Sequence, residues 1–163
     1  MSRSLELRPF HADDGPAVAS LHRRAILAVH PRFYSRAERE SWAHGIDPDA
    51  YARVVVEEGE VFVLAESSDG DLLGFCSYKL RNETGIICGL YTTPEAQRQG
   101  TGSALLAHAE TALAAQGAQR LVVDASLSGV AFYEHRGYQM ISRTRYRTRG
   151  GLEVDIREME KVL

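Results

Sequence analysis

The segment QRQGTGS, residues 97–103, sets Gly100 and Gly102 where a helical pattern begins. A helix N-terminus carries unpaired amides and a partial positive charge. Bare glycines let an anion approach those amides closely. The amides from Arg98 to Ser103 are therefore a candidate phosphate cradle, and the Arg98 side chain can add a charge-assisted bond. The same glycines also suit a plain loop-to-helix junction, and a G-x-G pair alone does not choose between the two. Other phosphate loops are excluded. No lysine follows Gly102, as a Walker loop requires. Position 105 is leucine, where a dinucleotide fingerprint has its third glycine.

Two flanking segments add to this. Gly89 interrupts the strand-like run GIICGLY, which marks a bulge or the close approach of another backbone. A sheet edge opened there could accept an extended, amide-bearing ligand by strand addition. A diphosphate on the helix end and a peptide-like arm along the strand together describe coenzyme A. Downstream, VVDASLSGVAFYEHRGY places Tyr133 on a short helix after a strand. Phe132 beside it is expected in the core, which leaves Tyr133 to face a cleft.

The elements that must hold these segments follow from pattern. LELRPF reads as a short strand. Asp13 or Asp14 can cap the next helix, with Pro16 in its first turn and Val18, Leu21, Ala25 and Ala28 on one face. Pro31 stops it. Ser35 and Glu38 form a capping box for a second helix, SRAERESWA. DPDAYARVVVEEG is expected to be helical. EVFVLAE and LLGFCSYKL flank the turn SSDGD as a hairpin, and RNETG leads to the strand IICGLY. The helix opened by Gly100 runs to Gln116 and stops at Gly117. RLVVDA reads as a strand buried on both faces, and a short helix ends at Gly137. This order predicts an α+β fold, with helices covering a mostly antiparallel sheet.

The last hairpin carries Arg143, Arg145, Arg147 and Arg149 at strict alternation. If RGG is a three-residue loop with a left-handed glycine, Tyr146 faces Val154 and Thr144 faces Ile156. Arg147 then faces Glu153, and Arg145 faces Asp155. That register makes a paired ladder rather than an anion-binding surface.

Composition narrows the function classes. A chain of 163 residues fits one domain. A net charge of -3 argues against a nucleic-acid partner. No apolar run reaches the length of a membrane span, and the start lacks the apolar core of a signal peptide. Cys76 and Cys88 lack metal-ligand spacing. They read as reduced cysteines of a cytoplasmic protein, with no metal expected.

With these segments placed, the chain resembles the GNAT N-acetyltransferase superfamily. Gln97, Gly100 and Gly102 match its Q/R-x-x-G-x-G/A signature opening a long helix. LYTTPE resembles the family's fourth strand and its exit, and FYEHRGY its F-Y-x-x-x-G-F/Y segment. The likeness runs from about Glu60 to Tyr138. It implies one acyl-CoA N-acyltransferase domain over residues 1–163, on a seven-stranded mixed sheet parted like a V and flanked by helices. It also implies acetyl transfer from acetyl-CoA to a primary amine of a small molecule or peptide, by direct attack, and a homodimer through the late strands is compatible with it. Leu90, Tyr91 and Thr92 would hold the pantetheine arm. Gln97, Arg98, Gln99, Gly100, Thr101, Gly102 and Ser103 would take the diphosphate, with Ser126 and Phe132 also against the coenzyme. Tyr133 would stand near its sulfur.

The implied chemistry needs a neutral amine, a donor for the developing oxyanion and a proton for the departing thiolate. A free strand amide between Leu90 and Thr92 could be the oxyanion donor. Tyrosine keeps its proton at neutral pH, with a reference pKa of about 10, so Tyr133 is the expected general acid. Cys88 stands where many relatives carry an acid, which leaves the base open among Glu83, His30, Asp124, His135 and water. The missing acid also leaves room for a second reading, a non-catalytic acyl-CoA-binding regulatory module. His30, Phe33, Tyr34 and Trp42 occupy the region that walls the acceptor pocket in the family.

Overall fold

A computed structural model describes residues 4–163. Its strands are β1 (Leu5–Pro9), β2 (Val61–Ser67), β3 (Leu72–Arg81), β4 (Thr84–Thr92), β5 (Arg120–Ser126), β6 (Gln139–Arg147) and β7 (Glu153–Val162). They form one seven-stranded sheet in the order β1-β2-β3-β4-β5-β7-β6. Every neighbouring pair is antiparallel except β4 and β5. The helices are α1 (Gly15–Leu27), α2 (Arg36–Ala43), α3 (Ala50–Glu58), α4 (Thr101–Ala115) and α5 (Val130–Glu134). This is the expected α+β sheet flanked by helices.

Local chemistry explains most boundaries. Ser35 Oγ accepts from the Glu38 amide at 3.1 Å, and Glu38 Oε1 accepts from the Ser35 amide at 2.9 Å. That is the predicted capping box of α2. Gly117, at φ 97°, follows α4 where a left-handed residue is needed. Asp14 behaves differently from the expectation. Its carboxylate does not cap α1 but accepts two bonds from Arg8, at 2.7 and 2.9 Å, and one from the His11 amide at 2.8 Å. A two-pronged guanidinium bond outcompetes a single neutral cap, and it holds the Asp14 carboxyl below its ordinary pKa.

Both sheet faces are covered. On one, Leu105, Leu106, Ala109 and Leu113 of α4 pack with Val63, Cys76, Ile87, Leu121 and Val123. On the other, Val18 and Leu21 of α1 and Tyr51 of α3 pack with Phe62, Leu64 and Phe75. A third cluster joins Tyr34 to Val154 and Ile156 of β7. The β6–β7 register is the predicted one, with Tyr146 against Val154 and Arg145 against Asp155. Arg149 departs from the ladder. It lies in the turn rather than on the strand and donates to the Trp42 carbonyl.

The sheet opens at its centre for a local reason. Ser77 pairs with Gly89, but the next residue, Tyr78, pairs with Ile87. Cys88 is therefore an extra residue, a bulge that bends β4. Parallel pairing of β4 with β5 ends at Ile87 and Val123, although β4 runs on to Thr92 and β5 to Ser126. The strands part beyond that point. The parting also corrects the expectation that β5 is buried on both faces. Leu121, Val123 and Ala125 point into the core, while Asp124 is exposed where the second face meets the opening.

Candidate active site

The parted strands floor a cleft of about 1050 Å³. Its β4 side is Cys88 to Thr92, and its β5 side runs from Val123 to Ser126. The α4 N-terminus and α5 close one end, and the α1–α2 region walls the other. The Tyr91 ring turns away into an aromatic cluster, 4.4 Å from the His22 ring and 5.5 Å from Phe75. Burial pushes its hydroxyl up to about 12. Tyr91 thus offers the cleft mainly backbone.

At the α4 end, Arg98 has φ 64° and Gly100 φ 84°. Left-handed residues so placed coil a loop so that amides can turn toward a shared centre. The first intrahelical bond is Ala104 N–H to Gly100 O, at 3.0 Å. Among the described residues, the amides of Gly100, Thr101, Gly102 and Ser103 have no acceptor within the chain. The two glycines serve different ends. Gly100 is required by its left-handed backbone, since a Cβ there would meet open space. A Cβ on Gly102 would make only ordinary contacts, with the Phe132 ring at 3.4 Å and Thr92 Cγ2 at 3.9 Å. The protein itself does not forbid a side chain at Gly102, so its bareness leaves room for what approaches the helix end.

Arg136 completes this end. Its guanidinium lies 3.7 Å from the Phe132 ring centroid and donates to Ser103 Oγ and to Phe132 O. Arg98 and Arg136 both line the cleft, so cations stand beside the free amides. Gln97, Arg98, Gly100, Gly102, Ser103, Leu90, Tyr91, Thr92, Ser126, Phe132 and Tyr133 all line it too. Gln99 and Thr101 do not. The Gln99 side chain folds back to donate to Glu95 O at 2.9 Å, and Thr101 is buried.

Tyr133 and Phe132 exchange their expected roles. Tyr133 is only 6% exposed and belongs to the core cluster, while Phe132 is partly buried against it. Tyr133 still reaches the cleft wall, and among the described residues its hydroxyl has no hydrogen-bond partner. Burial, with a smaller push from Cys76, raises its pKa well above the ordinary tyrosine value.

At the other end, His30, Phe33, Tyr34 and Trp42 all line the cleft. Tyr34 fastens this wall. Its hydroxyl donates to Asp155 O at 2.6 Å and accepts from the Leu127 amide at 2.9 Å. The hairpin tip fastens it again, with the Gly150 amide on Ser41 O at 2.9 Å and Ser41 Oγ 2.6 Å from Thr148 Oγ1. A Cβ at Gly150 would lie 2.5 Å from Ser41 Oγ and 2.9 Å from Ser41 backbone atoms. Gly150→Ala is therefore expected to push the hairpin off α2 and lower stability by about 1–3 kcal/mol, as overpacking does. A urea midpoint equal to wild type would contradict this.

The base candidates separate by position. Glu83 lies in the β3–β4 turn and His135 on the outer surface, and neither lines the cleft. His30 lines it, but its Nδ1 accepts from the Arg32 amide at 3.1 Å. A neutral ring so bonded carries its proton on Nε2 and presents a donor. Asp124 lines the cleft as well. Although exposed, it is partly desolvated at the parting, and this with the like charge of the facing Glu158 raises its pKa above the ordinary carboxylate value. Three arginines of the cleft were not singled out from sequence, Arg32, Arg39 and Arg136. Spacing sets Arg39 on the α2 face of Trp42, whereas Arg136 lies past the end of α5 and carries no such signal. No helix among the described residues is long and apolar enough to cross a membrane.

Residues 30–161 match the family described as Acetyltransferase (GNAT) domain. Solved structures resemble the whole chain. A GCN5-related N-acetyltransferase from Rhodopseudomonas palustris is 28% identical, with a TM-score of 0.87 over 100% of this chain and 99% of that one. The PaiA N-acetyltransferase of Thermoplasma acidophilum, in complex with coenzyme A, is 22% identical, with a TM-score of 0.79 over 98% and 99% of the two chains. A phosphinothricin acetyltransferase of Sinorhizobium meliloti, in complex with AcCoA, is 19% identical, with a TM-score of 0.73 over 100% and 89%. No curated protein matches the chain.

Proposed function

The chain belongs to the GNAT acetyltransferase family, and on that premise we propose that it moves an acetyl group from acetyl-CoA to a primary amine of a small molecule or peptide. The observation that carries this reading is the joint geometry of two features. A run of unpaired amides starts α4, and a strand edge freed by the Cys88 bulge leads to it. An extended arm with amides along it and a diphosphate at its end fits both. Relatives of the same fold that are in complex with coenzyme A or AcCoA support the choice of donor.

The chain's own residues then have defined work. The amides of Gly100 to Ser103, with Arg98 and Arg136, hold the diphosphate. The backbone of Leu90 to Thr92 pairs with the amide arm, and a free amide there faces the carbonyl oxygen as it gains charge. Acetyl-CoA supplies an activated thioester, so the enzyme needs no covalent intermediate. The Cys88 thiol suits this, because partial desolvation and the nearby Glu60 carboxylate push its pKa up, which disfavours the thiolate. Tyr133 donates to the departing sulfur. Its raised pKa means that it cannot remain ionised and must recover a proton in the same event, with the amine's proton as the source.

The amine arrives as an ammonium; Asp124 takes its first proton, directly or through water, and passes it to solvent, and the second, lost from nitrogen after attack, is the one that reaches Tyr133. Asp124 also offers an acid to set against the reading of a non-catalytic module, which rested on the missing acid at Cys88. Asp124→Asn is expected to lower kcat by about 100-fold, within the range for a general base. It should also remove an acid limb of the kcat profile that lies above the ordinary aspartate pKa of about 3.9. The stability sign is opposite. A carboxyl whose folded pKa is raised favours the fold at low pH, and that benefit is lost as pH rises through the folded value. Asp124→Asn should therefore be at least as stable as wild type at neutral pH. An unchanged pH profile would exclude Asp124 as base. Transfer itself is tested with purified protein, acetyl-CoA, an amine panel and a thiol reagent. Coenzyme release dependent on amine is expected, and none above background for any amine would contradict the assignment.

A further inference from the structure

Among the described residues, Arg39 is the arginine with a side-chain nitrogen buried without a hydrogen-bond partner. Arg8, Arg24, Arg36, Arg53, Arg120 and Arg145 each meet a carboxylate within 4.0 Å. Most of those pairs are on the surface, where pairing matters least. Arg39 is part-buried on α2, lines the acceptor half of the cleft and has no carboxylate partner among the described residues. Its Nη1 donates to Leu27 O at 2.7 Å, which satisfies one free carbonyl at the C-terminal end of α1. Its Nε is buried without any acceptor. Nη2 is neither bonded nor buried, so it is free to bind an anion, and Arg39 lines the cleft. A structural tie to α1 explains one of these three nitrogens. It leaves a partly desolvated cation uncompensated, which is costly.

The surroundings match. Arg32 lines the same end, with its guanidinium 4.6 Å from the Phe33 ring centroid, and His30 presents a donor there. Asp124, at the parting of the strands, is the single carboxylate of this half among the described residues. Positive charge thus stands at the α2 wall and negative charge at the reaction centre. We propose that the acceptor is a small amine bearing a carboxylate, an amino-acid-like zwitterion, with its amine toward Asp124 and its carboxylate on Arg39. This rests on the acetyl-transfer reading above.

The test compares α-amino acids with their carboxamides, with spermidine and with short acidic peptides, measuring coenzyme release. Amino acids are expected to exceed their carboxamides in kcat/KM by about 10-fold or more, the worth of a charge-assisted hydrogen bond. Arg39→Gln should raise KM for the amino acid by about 10- to 100-fold, with kcat, carboxamide kinetics and acetyl-CoA affinity by calorimetry nearly unchanged. Arg32→Gln, at the exposed rim, should act in the same direction more weakly, and it keeps the test open if Arg39→Gln fails to fold. Equal or better rates with carboxamides, spermidine or peptides would overturn the anion site while leaving acetyl transfer intact. An equal loss on acids and carboxamides in Arg39→Gln would do the same. No transfer to any amine would overturn both readings.

Discussion

Tyr133→Phe is expected to lower kcat by about 10²- to 10⁴-fold, the range for removing a positioned acid, with acetyl-CoA affinity nearly unchanged. The ring is buried among Tyr138, Phe132 and the core cluster, and phenylalanine refills that space. The hydroxyl has no partner within the described chain, so its removal orphans no buried group. Deleting a buried hydroxyl usually destabilises by breaking a hydrogen bond. Here that cost is absent, and the melting temperature should hold or rise. Loss of turnover at constant stability and constant coenzyme affinity is the signature of a group used only in the reaction. A large affinity loss with unchanged turnover would refute the acid role and leave Tyr133 as a wall of the site.

Gly102→Glu separates the protein's own needs from those of its ligand. Replacing a glycine inside a helix stabilises it by up to about 1 kcal/mol. A carboxylate in the first turn adds about 0.3–1 kcal/mol through the helix dipole. The new Cβ meets the Phe132 ring at 3.4 Å, which is ordinary contact. The apo protein should therefore become more stable. Acetyl-CoA should bind about 100-fold more weakly or worse, because the new charge competes with the diphosphate for bonds worth about 1.5–3 kcal/mol each. Opposite signs from one substitution are hard to obtain unless an anion belongs at this helix end. Unchanged affinity would place the coenzyme elsewhere.

Much of this site was legible because its signals are local. The Ser35–Glu38 box, the left-handed Gly117 and the RGG turn depend on residues within a few positions of one another. The hairpin register followed from charge and apolar alternation once the loop length was chosen. Gly89 pointed to a bulge, and the extra residue is its neighbour Cys88. The misreadings share a different cause. Phe132 and Tyr133 are adjacent on a helix of five residues, so the roll of that helix decides which one is buried. Packing on Tyr138 and the α4 layer sets that roll, and nothing in FYEHRGY encodes it. RLVVDA has the composition of a strand buried twice, yet the parting from β4 uncovers one face at Asp124. Asp14 looked like a helix cap until Arg8 came within reach from β1. Spacing could set Arg39 beside Trp42, but its meaning is a partner it lacks, which only the folded surroundings reveal.

The central claim is that the amides opening α4 grip the diphosphate of acetyl-CoA. Titration of ¹⁵N-labelled protein with acetyl-CoA, followed residue by residue, tests it most directly. The account predicts that the amides of Gly100, Thr101, Gly102 and Ser103 shift most strongly downfield, together with those of Leu90 to Thr92. Saturable shifts confined to other parts of the chain, with these amides unmoved, would contradict it.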